Sequence, residues 1–527
     1  MKIKYSLLIF CAVLCLLVQM AAGYKTGAIR LESPNDRSVQ TQGKTLDGHP
    51  WVWIKYAPPD KAEDIGEPSK YELNFISDGT ISIKADCNRA TASYKIEGPN
   101  LKISVGPATL AACPGKSRGE EFLQLLGKAQ RFVIAGELLI VVLEDGASLG
   151  FRAPSIVDRC GTDSLALSRI VDTLDPKISE GLDQALKSFV TPGTLSTPGT
   201  SMLVITPKGR YFKAAGLADV ATCTHLKADS PYQIGSNTKM MTAAMIYQLQ
   251  EKGRLNTRDP LSKWLPELAA KLPYGNDVTL EMLLTHTSGL IDYFDVDPGD
   301  GGISIGMKDR KILTQAFTPL ELVMRTANSG KFEFKPGEVG KWKYCNTGYI
   351  LLGLIIEKAT GRSYEENLRT RIFRPLKLKK TYLQTGQPVP GAIPVAYYGS
   401  PFLYTTNEWN ASQGWAAGAV VSTSEEFAVF LKALFMGKFF KMKSTLELMR
   451  AFSESSKNML GPGTFYGHGI LINNGILGHG GQTLGFQSDG GYIPGKDVTI
   501  VFWSNSASNK VGRLIVPALA KFVLGEN

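Results

Sequence analysis

The sequence contains few of the side chains that most often bind transition metals. It has five histidines and seven cysteines in 527 residues, and none of them forms a Cys-x-x-Cys or His-x-x-x-His cluster. Closely spaced ligands of these kinds are typical of zinc sites. We therefore expect no metal site, and nothing else in the sequence indicates a cofactor.

The sequence also lacks a basic tract that is interleaved with aromatic residues. Lys and Arg number 58 against 48 Asp and Glu, a net charge of +10. The basic residues are scattered, apart from short groups such as Lys377, Lys379 and Lys380, and no nucleic-acid-binding motif accompanies them. We expect no nucleic-acid partner; the charge suits a solvated surface and would allow association with an anionic cell envelope.

Long apolar runs are missing except at the N-terminus. Lys2 and Lys4 precede an almost wholly apolar stretch, 6–20, and small residues follow at 21–23. This arrangement is typical of a signal peptide, and the stretch is shorter than the roughly 20 residues of a usual membrane span. We predict a signal peptide over 1–23 and a periplasmic or secreted protein, with an uncleaved anchor as the alternative.

Five of the seven cysteines lie beyond the predicted signal peptide, because Cys11 and Cys15 fall within it. An odd number in an oxidising compartment leaves at least one thiol free, unless it pairs with another chain. We regard Cys345 as the candidate for that free thiol.

Residues 45–152 have the pattern of a small β-rich unit. Ile81, Ile83 and Ala85 alternate with polar residues, as a half-buried strand requires. Two hairpins are predicted, 94–96 with 101–103 and 132–134 with 138–143, and a short amphipathic helix over 120–129. No set of catalytic side chains occurs in this region, so we expect a binding or stabilising role.

Three short motifs make this unit resemble the META domain of bacterial envelope proteins. They are Trp51, the stretch Asp86–Asn88, and Ala111–Pro114 before the predicted helix. The resemblance implies a compact β-rich domain. For Cys87 and Cys113 a disulfide and a pair of buried thiols remain open alternatives.

The rest of the chain is predicted to be a linker, 153–175, and a larger unit, 176–527. Predicted helices are 178–190, 236–252, 346–360, 427–435 after a capping box that starts at Ser422, and one around 510–524; predicted strands are 201–205, 469–472, 485–492 and 498–504. Strands at both ends with helices between them indicate an α+β fold. We expect one mainly antiparallel sheet built from both ends of the unit.

The main chemical signal in the larger unit is Gly235-Ser236-Asn237-Thr238-Lys239. Ser236 stands at the start of a predicted helix, and Lys239 lies three residues later on the same helical face. A serine hydroxyl is a poor nucleophile until a neighbouring base takes its proton. A lysine amine can act as that base only where burial or nearby positive charge favours its neutral form.

Two later elements could complete such a site. Tyr344 and Asn346 precede an apolar helix, where a phenol could relay a proton and an amide could orient the lysine. His479-Gly480-Gly481 lies between predicted strands, where residues without side chains would let a substrate lie along the strand. His479 could donate a hydrogen bond to a substrate carbonyl or carboxylate.

Taken in the order Ser236, Tyr344 and His479, these elements make 176–527 resemble the serine β-lactamase and penicillin-recognising family. The nearest group is the class C β-lactamase and D-alanyl-D-alanine carboxypeptidase branch, and the stretches 283–290 and 416–418 support it. The resemblance implies a β-lactamase/transpeptidase-like domain, with an antiparallel sheet flanked by helices and a helical subdomain.

The resemblance also implies roles for individual residues. Ser236 would attack the substrate, Lys239 and Tyr344 would move protons, and Asn346 would orient both the lysine and a substrate carbonyl. The backbone N–H groups of Ser236 and Gln482 would form the oxyanion hole, and Gly481 would lie against the substrate.

His479 stands where β-lactamases usually have lysine, which favours a peptidase or esterase over a dedicated β-lactamase. We therefore predict a serine hydrolase that works through an acyl-enzyme on D-alanyl peptides, esters or β-lactam-like compounds. Its partner would be a small-molecule or peptide substrate, including cell-wall peptide.

Two other interpretations compete with this one. A non-catalytic, penicillin-binding-like protein could keep the fold and bind cell-wall peptide without chemistry. A Ser-His-Asp hydrolase could use Ser304, which lies in a Gly-x-Ser-x-Gly sequence, but the acidic, glycine-rich stretch 295–301 before it does not suit the required buried strand. We interpret His286 as a structural loop residue.

Overall fold

The computed structural model describes residues 46, 50–59, 62–135, 138–190, 197–296, 314–386, 392–398, 404–405, 409–507 and 515–525. The chain forms two compact units, with the boundary between Ser164 and Leu165. The predicted signal peptide, 1–23, lies outside the described residues, as does Ser304. In the part of the chain that is described, no helix has both the length and the apolar character to cross a membrane.

The first unit is built from nine antiparallel strands. They are β1 Pro50–Ala57, β2 Glu63–Asp64, β3 Tyr71–Phe75, β4 Thr80–Ala85, β5 Asn88–Glu97, β6 Asn100–Ala108, β7 Ala129–Ala135, β8 Leu138–Leu143 and β9 Ser148–Arg152, with helices α1 Gly119–Leu126 and α2 Ile156–Cys160. Strand β1 pairs with both β3 and β9, so the sheet closes on itself. Closure removes the exposed edges that an open sheet would present.

Helix α1 packs an apolar face into the centre of this unit. Phe122 and Leu126 are fully buried, and the Phe122 ring stacks on Trp53 with the ring centroids 4.9 Å apart. Both predicted hairpins are present, with Tyr94 opposite Ile103 and Phe132 opposite Val141. The predicted helix over 120–129 ends earlier, at Leu126, because strand β7 begins at Ala129.

The motif at Asp86–Asn88 has a structural explanation. Asp86 has a φ of 62° and forms the turn between β4 and β5. The Asn88 side chain donates to the carbonyl oxygen of Ala111 at 3.0 Å and accepts from its N–H at 2.8 Å. Cys87 and Cys113 form a disulfide, which settles the alternative that the sequence leaves open.

The second unit contains a larger antiparallel sheet and a helical region. Its strands are β10 Leu167–Asp172, β11 Gly199–Thr206, β12 Gly209–Asp219, β13 Thr224–His225, β14 Tyr232–Gln233, β15 Tyr382–Leu383, β16 Tyr397–Tyr398, β17 Tyr404–Thr405, β18 Val420–Ser422, β19 Thr464–Tyr466, β20 Leu471–Asn473, β21 Ile476–Gln482, β22 Gln487–Ile493 and β23 Val498–Ser504. Its helices are α3 Pro176–Val190, α4 Thr238–Glu251, α5 Leu261–Trp264, α6 Pro266–Ala269, α7 Leu280–Thr285, α8 Pro319–Ser329, α9 Asn346–Thr360, α10 Tyr364–Leu368, α11 Trp415–Gly418, α12 Ser424–Phe435, α13 Lys443–Arg450 and α14 Ile515–Leu524.

The main sheet joins the two ends of this unit, as predicted. The strand order is β10-β12-β11-β23-β22-β21-β20-β19. Strand β11 pairs antiparallel with β23, with Leu203 opposite Val501. The fold of this unit is therefore α+β, and the helical region lies between the two groups of strands along the chain.

Two local expectations need correction. The stretch 153–175, predicted to be a linker, contains α2 and strand β10, which pairs with β12. Because β10 is an edge strand without a fully buried residue, it lacks the alternation that reveals a strand in a sequence. The cap of α12 is Thr423, which accepts from the N–H of Glu426, and not Ser422.

The disulfide of the first unit should contribute to its stability. Cys87 and Cys113 are 26 residues apart, and crosslinking a loop of that length stabilises a fold by about 3 kcal/mol. We predict that the double variant Cys87→Ser, Cys113→Ser unfolds at a lower denaturant concentration than the wild type in this unit. Unfolding is monitored by hydrogen exchange of the backbone amides in its strands. An unchanged midpoint would contradict a stabilising role, and the strands of the second unit provide the internal control.

Candidate active site

Ser236 lies at the tip of the helical region, where the chain enters α4. Gly235–Asn237 forms a 3₁₀ turn that continues directly into the helix at Thr238. Gly235 has a φ of 54°, a conformation that glycine adopts without strain. The Ser236 side chain is half-buried and faces a cleft, so the hydroxyl is fixed by the helix and still accessible.

Lys239 lies below Ser236 and is fully buried. Its Nζ is 3.0 Å from Ser236 Oγ, 2.7 Å from Asn346 Oδ1 and 2.7 Å from the carbonyl oxygen of Ala417. The amine also lies over the ring of Tyr344, 4.9 Å from its centroid. The one-turn spacing in the sequence therefore places the amine in contact with the serine, as predicted.

Asn346 begins helix α9 and connects Lys239 to a buried carboxylate. Its Nδ2 donates to Asp292 Oδ2 at 2.8 Å, and its backbone N–H donates to the same oxygen at 2.6 Å. Asp292 is 5% exposed. Burial raises the pKa of Asp292, while the backbone N–H groups of Asn346 and Phe294 oppose that rise.

Tyr344 and His286 pack against each other beside the lysine. Their ring centroids are 4.3 Å apart, and His286 Nδ1 accepts the backbone N–H of Cys345 at 3.1 Å. His286 ends helix α7 with a φ of 62°. Burial holds the pKa of His286 well below its usual value. The neutral ring therefore positions the Tyr344–Asn346 segment, consistent with the structural interpretation of His286.

The thiol of Cys345 is free and buried, as the cysteine count predicts. Burial raises its pKa to about 12. Since the thiolate is the reactive form of cysteine, this position favours an inert packing role between the two polar side chains of the site.

His479 lies in the cleft wall on strand β21 and is 5% exposed. A carbonyl oxygen can only accept, so Nδ1 donates to the Gly480 oxygen, at 2.5 Å. Nε2 is 2.9 Å from the hydroxyl of Tyr466. Both ring nitrogens are thus engaged within the protein, and neither can bind a substrate carboxylate without breaking one of these hydrogen bonds.

Strand β21 passes close to Ser236 because each of the two segments that meet there has a glycine, Gly235 before the serine and Gly481 on the strand. A β-carbon built on Gly235 would lie 2.6 Å from the backbone nitrogen of Gln482, and one on Gly481 would collide with the carbonyl oxygen of Ile234. Side chains at either position would push the strand away. The backbone N–H groups of Ser236 and Gln482 therefore belong to adjoining segments at the cleft.

The structure brings together every predicted site residue. Among the residues that line the cleft are Ser236, Tyr344, His479, Gly481 and Gln482, together with Leu460, Leu471 and Ser488. Lys239 is linked to this group by its hydrogen bond to Ser236, and Asn346 is linked to it by its hydrogen bond to Lys239. Within the described ranges, no cluster of three His, Cys, Asp or Glu side chains could hold a metal ion.

Sequence reasoning missed two functional neighbours, Asp292 and Tyr466. Asp292 is the first acidic residue after the motif 283–290 and is surrounded by Leu290, Ile291 and Tyr293. A carboxylate whose immediate neighbours are apolar is a usable signal, because a buried charge requires partners. Tyr466 lies in the short strand β19, and no sequence feature links it to His479.

Comparisons with protein families agree with this geometry. The family described as Beta-lactamase matches residues 182–523, and the META domain family matches residues 44–155. The first match covers well over half of the chain and includes all of the site residues described above.

Individual relatives come from several bacteria. A penicillin-binding protein of Bacillus subtilis (strain 168) is 31% identical over 53% of this chain and 61% of its own length. Teichoic acid D-alanine hydrolase of Staphylococcus aureus is 27% identical over 54% of this chain and 64% of its own length. The match thus spans somewhat less than two thirds of these two relatives.

A solved structure is similar over nearly its whole length. The D-stereospecific amidohydrolase of a Streptomyces species is 27% identical, with a TM-score of 0.56, over 66% of this chain and 98% of that one. The chain therefore belongs to the serine β-lactamase and penicillin-recognising family, and it carries a META domain ahead of that unit.

Proposed function

We propose that the protein is a serine hydrolase that cleaves D-alanyl peptides, esters, amides or β-lactam-like compounds through an acyl-enzyme on Ser236. One observation carries the proposal: the Nζ of the fully buried Lys239 is 3.0 Å from Ser236 Oγ. An amine in that position can take the hydroxyl proton, and its burial favours the neutral form that can do so.

The partners of Lys239 suit a neutral amine. Two of the contacts described for its Nζ are with carbonyl-type oxygens, Asn346 Oδ1 and the Ala417 oxygen, which can only accept hydrogen bonds. These two oxygens accept hydrogen bonds from the two hydrogens of an NH₂ group. The lone pair is then directed at the third contact, the hydroxyl of Ser236, which donates its hydrogen.

Acylation would follow from this arrangement. Ser236 Oγ bonds to the substrate carbonyl carbon while its proton moves to Lys239 Nζ. The developing oxyanion is stabilised by the backbone N–H groups of Ser236 and Gln482. When the bond to the leaving group breaks, that group takes this proton from Lys239, directly or through the hydroxyl of Tyr344. A water then attacks the ester carbonyl and gives up a proton to the same groups, and Ser236 Oγ takes a proton back as it leaves.

Recognition of the substrate would rest mainly on backbone and apolar contacts. Strand β21 presents Gly480 and Gly481 at the cleft, where an extended substrate can pair with it. Leu460 and Leu471 also line the cleft and give it apolar surface. Because both nitrogens of His479 are engaged, this site favours esters, amides and peptides over compounds that depend on a bound carboxylate.

The setting of the activity would be the cell envelope. The relatives described above are named as penicillin-binding and teichoic acid-modifying proteins, and the N-terminal sequence predicts export. We place the mature protein in the periplasm or outside the cell, where D-alanyl groups of wall polymers occur. The META domain would bind or stabilise rather than catalyse.

Replacement of Ser236 tests the nucleophile. We predict that Ser236→Ala lowers kcat/KM for a p-nitrophenyl D-alanyl ester by at least about 1,000-fold, because the hydroxyl that forms the acyl-enzyme is removed. Intact-mass measurement with a fluorophosphonate should show one adduct on the wild type and none on Ser236→Ala. Ser304→Ala is the matched control and should retain both activity and adduct.

A wild-type protein that forms no adduct with a fluorophosphonate or a fluorescent penicillin would overturn the hydrolase proposal in favour of a binding protein. Loss of the adduct in Ser304→Ala would instead support the competing Ser-His-Asp site.

The hydrogen bonds of His479 lead to a prediction about substrate charge. Diacetyl-lysyl-D-alanyl-D-alanine and its C-terminal amide should have kcat/KM values within about threefold of each other, since neither nitrogen of His479 is available to the carboxylate. A cation at the site would give the free acid an advantage of roughly tenfold or more. A preference of that size for the free acid would show that His479 binds the carboxylate.

A further inference from the structure

We propose that Asp292 is a positioning residue, which fixes the Asn346 side chain so that its oxygen faces Lys239 and holds the amine ready for the Ser236 proton. This inference rests on the proposed hydrolase function. Asp292 would act entirely through Asn346 and would not touch the substrate.

The hydrogen bonds around Asn346 determine which way its amide points. A carboxylate can only accept, so the atom 2.8 Å from Asp292 Oδ2 must be the amide nitrogen. The amide oxygen is then the atom 2.7 Å from Lys239 Nζ. Rotating the amide by half a turn would bring its oxygen against the carboxylate and remove the acceptor from the lysine, so the carboxylate selects one orientation.

Asp292 is itself held firmly relative to helix α9. Its Oδ1 accepts the backbone N–H of Phe294 at 3.0 Å, and the next residue, Tyr293, donates its N–H to Thr347 Oγ1 at 3.0 Å. The carbonyl oxygen of Ile291 accepts from Thr347 Oγ1 at 3.0 Å. The carboxylate therefore has a fixed place at the first turn of α9, where the unpaired N–H groups favour a negative charge.

The ionised form suits these surroundings, although the site is buried. All three of the contacts described for the carboxylate are N–H donors, from the backbone of Asn346, its side chain and Phe294. Burial raises the pKa of Asp292 and the nearby Asp295 adds to this, whereas the backbone N–H groups and the charge of Lys239 lower it.

The charge of Asp292 also affects the lysine. By reciprocity, a carboxylate whose pKa Lys239 lowers must favour the protonated amine in return. The rings of Tyr344 and Tyr349 also lie beside Lys239, and the charge of Lys239 acts on His286. Removing the charge should therefore make the neutral amine available at lower pH.

Two substitutions separate the charge of Asp292 from its acceptor. In Asp292→Asn an oxygen can still accept both N–H groups of Asn346, but the charge is gone. We expect the acidic limb of the pH profile of kcat/KM to move down by roughly one unit, with a plateau loss below about tenfold. In Asp292→Ala the acceptor is gone as well, and the plateau should fall about 100-fold with little change in KM.

A double-mutant cycle tests whether Asp292 acts through Asn346. In an Asn346→Ala background, Asp292→Ala should cause less than about a threefold further loss, since there is no amide left to position. Asp295→Asn, which removes a neighbouring exposed charge, is the matched control and should leave the plateau unchanged. Thermal denaturation of each variant reports any loss of folded protein.

The results distinguish a failure of the role of Asp292 from a failure of the hydrolase function. If the wild type forms the Ser236 adduct but the two losses simply multiply, the positioning role is wrong and the hydrolase stands. If the wild type forms no adduct, both the hydrolase function and the role of Asp292 are overturned.

Discussion

The contact between a buried amine and a serine hydroxyl is the interaction on which the site depends. Lys239 is fully buried, yet Nζ has three polar contacts. A charged amine in such a place is disfavoured by the loss of water. The same burial that costs stability thus makes the amine a base, and the rest of the site supplies the oxygens and rings that hold it there.

The fold makes this contact possible by bringing distant segments together. Helix α4 carries Lys239 and the 3₁₀ turn before it carries Ser236. The start of α9 carries Asn346, and strand β21 carries His479 and Gln482. The strand can approach the serine only because Gly235 and Gly481 have no side chain. The glycines are therefore as much a part of the site as its polar residues, although they perform no chemistry.

Much of this arrangement can be predicted from the sequence. Helix α9 follows from its apolar periodicity and has the predicted bounds, Asn346–Thr360. The Ser236–Lys239 contact follows from helical spacing, and the joining of the two chain ends follows from strands at each end. The comparisons confirm the β-lactamase-family and META resemblances.

Other features depend on contacts that no local pattern encodes. Asp292 meets Asn346 across 54 residues, and its role can be seen only once the two side chains are in place. His479 lines the cleft, but its hydrogen bonds to Gly480 and Tyr466 could not be predicted from the sequence. Strand β10 was missed because an edge strand of half-exposed residues has no alternation to detect.

The rate at which a fluorophosphonate modifies Ser236 in Lys239→Met, compared with the wild type, tests the central claim most directly. Methionine keeps much of the buried volume but has no lone pair strong enough to take the proton. The account predicts a rate at least about 1,000-fold lower at neutral pH, with the protein still folded. A rate within about tenfold of the wild type would show that Ser236 does not depend on the amine.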